Sequence, residues 1–267
     1  MSMKRFDPSK FTTSASKPMP VILLLDVSGS MGEVMDGSFE RTGQTVFEDG
    51  QNWDIVTGGV SRIDVLNQAV QEMLASFARE EQLGHEFLIS VITFGGAVSL
   101  HLPPMKASSV EWLPLTTSGE TPLGGAISMA RGLIEDKEAT PSRAYRPVVV
   151  LVSDGKPTDA WKAPLADFVG SGRSMKCDRI ALAIGAGTDE EMLRTFIDGT
   201  ANPLFHASDA RQILETFRRV TMSVTVRNKS KDPNQVVSVT EKSTSPAKPN
   251  GATNPPSKPN DDEDGYW

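Results

Sequence analysis

The sequence predicts an α/β fold: a doubly wound, mostly parallel sheet flanked by helices, with a β-hairpin inserted after the first strand. Three observations predict it. Short continuous apolar runs recur along the chain, such as Val21–Leu25 and Pro147–Val152, and runs without polar alternation suit strands covered on both faces. Helical stripes lie between them, and alternating strands and helices imply a parallel sheet. Roughly thirty residues, Gly32 to Arg62, break this rhythm. A structureless loop of that length is unusual in a compact domain, so a hairpin is the better reading.

Each element has its own signal. Residues 1–17 are polar, with Thr12, Thr13, Ser14 and Ser16, and read as a flexible leader. The domain proper is expected over 18–226. Val21–Leu25 is its first buried strand. Within the insert, 32–62, Thr45–Phe47 and Trp53–Val56 flank Asp49-Gly50, a turn pair between two strands. Ile63, Leu66, Val70, Met73, Leu74 and Phe77 then recur at helical spacing. Phe87–Phe94 and Ala97–Leu102 form a hairpin joined at Gly95-Gly96. Thr121-Pro122 signals a helix start, with the threonine hydroxyl as N-cap and proline at the first position. Leu123, Ala126, Ile127, Ala130, Leu133 and Ile134 follow on one face. Pro147–Val152 and Ile180–Ile184 are two more apolar strands. A last helix begins at about Ser208 and carries Ile213, Leu214, Phe217, Val220 and Val224. Residues 228–267 hold six of the chain's 18 prolines among Ser, Asn, Lys and Thr. They read as a disordered tail, ending in an acidic run before Tyr266-Trp267.

The bulk numbers narrow the partners and the compartment. A net charge of -7 and a pI of about 5.1 argue against nucleic acid and anionic membranes. One cysteine, Cys177, excludes an internal disulfide framework and reads as a small apolar residue beside a strand. Residues 1–20 have no apolar run behind a cleavage site, and no apolar run is long enough to span a bilayer. The expectation is a cytoplasmic protein.

The chemistry gathers at strand ends. Asp26-Val27-Ser28-Gly29-Ser30 follows the first strand directly. Ligands of an open parallel sheet bind at the carboxyl edge of the strands. Asp154 follows the strand ending at Val152, and Thr121 stands at a helix start that reaches the same edge. Asp26, Ser28, Ser30, Thr121 and Asp154 supply two carboxylates and three hydroxyls. All-oxygen donors select hard cations such as Mg²⁺ or Mn²⁺. Two carboxylates neutralise a divalent ion and no more, so an external carboxylate could complete its shell.

These five residues resemble the metal-ion-dependent adhesion site of von Willebrand factor A domains: Asp-x-Ser-x-Ser after the first strand, then a separate Thr and a separate Asp. The resemblance covers roughly residues 18–226 and implies the Rossmann-like sheet of that family. It also implies that Ser28, Ser30 and Thr121 bind the ion directly, while Asp26 and Asp154 act mainly through water or as hydrogen-bond acceptors. Leu23 to Met31, the insert, and Tyr145-Arg146-Pro147 before Ser153 to Asp159 look like the bacterial TerY-like group of tellurium-resistance and related stress gene clusters. That likeness implies a protein kinase and a protein phosphatase as neighbours. The function it points to is an adaptor whose metal takes an acidic residue from a kinase, a phosphatase or their substrate.

Enzyme readings fit less well. An aspartate-based phosphatase would place Asp26 as nucleophile, but wants a second Asp as general acid where Ser28 stands. A serine hydrolase wants Gly-x-Ser-x-Gly and a histidine base, and His85, His101 and His206 are scattered. No phosphate-binding Gly-x-x-x-x-Gly-Lys-Ser/Thr occurs. A third class is a scaffold of the same fold that uses no metal. Asp159, in the same loop as Asp154, is expected to be a solvated turn residue.

Overall fold

The computed structural model describes residues 17–48 and 51–235. β1 (Met19–Asp26) is buried throughout. Val21, Leu23 and Leu25 enter one core cluster, and Ile22 and Leu24 enter the other. A strand alternates its side chains between faces, so a strand covered on both must be apolar at every position.

The chain leaves β1 through a 3₁₀ turn, Gly29–Gly32, into the insert. There β2 (Val34–Glu48) pairs antiparallel with β3 (Gln51–Ser61) as a separate two-stranded sheet. The hairpin fills nearly the whole insert and is much longer than the sequence indicates. Its ladder shifts register between Val34 and Asp36, Asp36 and Phe39, and Arg41 and Thr45. Thr45 pairs with Asp54, as the short reading expects; the turn pair Asp49-Gly50 lies outside the described residues.

α1 (Arg62–Glu81) follows, closed at its start by a Ser61–Asp64 capping box. β4 (Phe87–Gly95) lies parallel to β1, and β5 (Ala97–Lys106) folds back antiparallel through Gly96, whose φ of 63° suits glycine. Next come α2 (Leu123–Glu135), β6 (Val148–Ser153), α3 (Lys162–Gly170), β7 (Asp178–Ile184), α4 (Glu190–Ile197), β8 (Leu204–Ala207) and α5 (Ala210–Lys229). The main sheet runs β5-β4-β1-β6-β7-β8, parallel apart from β5. α1 and α5 pack on one face; α2, α3 and α4 pack on the other.

Two expectations need correction. Thr121 is not the N-cap of α2. Pro122 occupies that position, makes no side-chain cap bond, and the helix begins at Leu123. The expected boundary near 228 falls inside α5, which runs on to Lys229. There Arg227 is buried: it donates Nη1 to Asp178 Oδ2 at 2.9 Å and Nε to the Pro233 carbonyl at 2.9 Å. Asn234 accepts the Arg146 N–H at 2.8 Å. Residues 1–16 and 236–267, most of the expected leader and tail, lie outside the described residues. Among the described residues, no helix is long and apolar enough to cross a membrane.

Candidate metal centre

β1 has neighbours on both sides, β4 and β6, so its carboxyl end is where the winding reverses. Leu25 pairs with Val152, which sets Asp26 beside Ser153 and Asp154. Asp26 is 0% exposed. Its Oδ1 accepts the Ser28 N–H at 2.9 Å, and its Oδ2 accepts the Ser153 hydroxyl at 2.7 Å. The carboxylate therefore folds the Asp-x-Ser-x-Ser loop and ties it to β6.

The hydroxyls follow from that turn. Ser28 Oγ and Ser30 Oγ lie 3.2 Å apart, and Ser30 Oγ donates to Asp154 Oδ1 at 2.7 Å. Thr121 arrives on a loop strapped to the same edge. Ser118 N–H donates to the Val27 carbonyl at 2.8 Å, and Gly29 N–H to the Gly119 carbonyl at 2.9 Å. Gly119, at φ 59°, sits against the backbone of Gly96 so closely that a Cβ would collide with it. A Cβ on Gly155 would lie 3.7 Å from Thr121 Oγ1 and 3.9 Å from Ser30 Oγ, so both hydroxyls flank the same point. The structure thus brings all five residues together, and Asp26, Ser28, Thr121 and Asp154 are buried.

Three further residues complete the arrangement, and one of them, Asp159, departs from its expected role as a solvated turn residue. Ser153 holds Asp26. Asp159 is no free turn residue: its carboxylate accepts the Gly124 N–H at 2.8 Å and the Gly125 N–H at 2.9 Å. It caps α2 from a distant loop, a role that Thr121 was expected to fill, and this frees the threonine hydroxyl for the site. Arg62 donates Nη1 to Asp154 Oδ2 at 2.7 Å. The one local hint of Arg62 is its place at the start of the α1 stripe, where the insert returns.

Electrostatics favour a cation here. The Asp26 carboxyl is pushed up to about 6, first by burial and then by the charge of Asp154. Two carboxylates sharing a buried edge repel, and a cation between them would remove that penalty. Among the described residues no three His, Cys, Asp or Glu side chains cluster. Hydroxyls must then supply much of any coordination, as suits a hard ion held by few charges. The donor set fits a divalent cation, with Ser28, Ser30 and Thr121 as the hydroxyls that would face it. Cys177 takes no part: it is buried, and burial pushes its thiol up to about 12.

Comparison with known proteins bears on this edge. Proximal thread matrix protein 1 of the mussel byssus is 15% identical over 78% of this chain and 48% of its own, with a TM-score of 0.54. A form of that protein with a zinc-occupied MIDAS motif is 12% identical over 79% of this chain and 46% of its own, at 0.52. The ArnB paralog VWA2 of Sulfolobus acidocaldarius is 15% identical over 77% and 46%, also at 0.52. At such identities the likeness is one of fold, and this chain spans about half the length of each. No curated protein matches the chain. The family model described as von Willebrand factor type A domain matches residues 21–156, from β1 through the loop that carries Asp154. That match takes in half of the sequence and all five residues of the edge, and the chain belongs to the von Willebrand factor type A domain family.

Proposed function

We propose that this chain is a metal-dependent protein-interaction module, with Mg²⁺ or Mn²⁺ as the ion and an acidic side chain of another protein as the ligand that completes its shell. What supports this reading is the convergence of Asp26, Ser28, Ser30, Thr121 and Asp154 on one sheet edge. Zinc in the motif of the mussel protein is a precedent for a divalent ion at this place in the fold. Three hydroxyls and two carboxylates leave a bound ion electrophilic, and a partner's carboxylate can satisfy it locally although the whole chain is acidic. The likeness of the sequence to the TerY-like group suggests a cytoplasmic stress or tellurium-resistance system, with a kinase, a phosphatase or their substrate as partner. The adaptor role is not enzymatic. As an in-line nucleophile Asp26 is poorly placed, since both its oxygens are taken up by Ser28 and Ser153.

One observation favours a second reading, a scaffold that uses no metal: Arg62 already pairs with Asp154. Affinity capture with and without chelator separates the two. The adaptor loses its partner in chelator and in the Asp26→Ala variant; the scaffold keeps it in both.

A further inference from the structure

Arg62 opens α1 at the point where the inserted hairpin rejoins the domain. Its side chain is 17% exposed. Nη1 donates to Asp154 Oδ2 at 2.7 Å and to the Ser30 carbonyl at 3.2 Å, while Nη2 pairs with Glu33 at 2.5 Å. Arg62 N–H also donates to the Glu33 carbonyl at 3.0 Å, closing the foot of the hairpin. A permanent cation therefore lies against one of the two carboxylates of the metal edge. The other, Asp26, accepts its hydrogen bonds from the neutral groups of Ser28 and Ser153.

The chemistry of the pair has a direction. Guanidinium keeps its charge at any ordinary pH. An ion drawn to Asp154 shares that carboxylate with Arg62 and is repelled by it. Without Arg62, Asp154 would be a buried charge with no cationic partner, a costly state that a metal ion would relieve. We propose that Arg62 is the resident counter-cation of this site: it neutralises Asp154 in the metal-free protein and weakens the hold on a metal that enters. The inference rests on the metal-binding reading above. Glu33, the half-exposed partner of the other guanidinium nitrogen, tempers the effect. Removing its charge should make Arg62 a stronger competitor.

The test is calorimetric titration of Mn²⁺ into the metal-stripped full chain, with thermal melting alongside, for wild type, Arg62→Gln and Glu33→Gln. Arg62→Gln should melt below wild type without metal, yet bind Mn²⁺ roughly tenfold tighter, the scale of one charge acting on a divalent ion in a solvated cleft. Its melting rise with Mn²⁺ should then exceed that of wild type. Glu33→Gln should melt like wild type and bind Mn²⁺ about twofold more weakly, a small effect because the pair is solvent-screened. A purely structural Arg62 gives a different pattern, lower stability with unchanged or weaker Mn²⁺ binding, and that overturns the proposal while leaving the metal site standing. If Arg62→Gln does not fold, Glu33→Gln decides: unchanged or tighter binding overturns it. Failure of all three proteins to bind Mn²⁺ removes the metal site itself, and the role of Arg62 with it.

Discussion

The two ends of the β-sheet each bury ionic side chains, and they do so in opposite ways. At the amino end of β7, Asp178 is matched: Arg227 donates to one oxygen at 2.9 Å and Asn202 to the other at 2.7 Å. Arg227 in turn donates Nε to the Pro233 carbonyl and Nη2 to the Arg146 carbonyl and the Met19 sulfur. At the carboxyl end, Asp26 and Asp154 stand together with one guanidinium, and Arg62 shares itself with Glu33. Burial raises the carboxyl of Asp178, and the opposing charge of Arg227 offsets only part of that rise. For Asp26, burial and the neighbouring charge of Asp154 push the same way. One end is a satisfied structural clasp. The other keeps a deficit of positive charge and a set of gathered hydroxyls, the arrangement that the proposed metal-binding reading calls for.

The largest effect should come from breaking the clasp. Arg227→Met leaves Asp178 buried without its cation, and unfolding in urea should lose about 3–5 kcal/mol. The melting rise with Mn²⁺ should stay as in wild type, because the opposite edge is untouched. A loss under about 1 kcal/mol would show that the two ends do not differ in the way described.

Asp26→Asn should act in the other direction. The amide keeps an acceptor for the Ser28 N–H and removes the repulsion from Asp154. In chelator at pH 7.5 the variant should gain about 1–3 kcal/mol over wild type, and it should lose the stabilisation by metal. The pH dependence sharpens this. Asp26 titrates at about 6 in the folded chain against an ordinary 3.8. Between those values the folded state holds a proton that the unfolded state has lost. This group's contribution therefore falls as pH rises from about 4 to about 6, and stays low above. The stability difference between variant and wild type should shrink on acidification through that window. A difference that is constant from pH 4 to pH 7.5 would contradict the charge assignment.

The smallest effect tests the cap. Asp159→Ala removes the acceptor for Gly124 and Gly125 and should cost about 1 kcal/mol in urea unfolding. A neutral change would return Asp159 to the status of an ordinary loop residue.

What the sequence made legible was local. β1, β6 and β7 announced themselves because burial on both faces demands uninterrupted apolar runs. The α1 stripe was plain over its length. α3 was hidden because it is short and buries only Leu165 and Phe168, and Pro164 lies within it. α4 and β8 are shorter still, eight and four residues. The hairpin exceeded its sequence signal because it is polar, Gly-broken and mostly exposed: Phe47 is 71% exposed. With little burial there was no alternation to read. The Asp-x-Ser-x-Ser loop could be read because its spacing is one turn of chain. Arg62 to Asp154 and Asp159 to Gly124 could not, since each joins residues that meet only once the sheet has formed.

The central claim is that the five oxygen-bearing residues make one metal site at the carboxyl edge. Its most direct test is equilibrium binding of Mn²⁺ to the metal-stripped chain, compared between wild type and Thr121→Ala. Thr121 reaches the edge on the loop before α2 rather than on a strand of the sheet, and its hydroxyl caps no helix. The expected result is saturable binding of one ion per chain by wild type, weakened tenfold or more in the variant, roughly the worth of one lost ligand. Equal binding by the two proteins, or none by wild type, would contradict it.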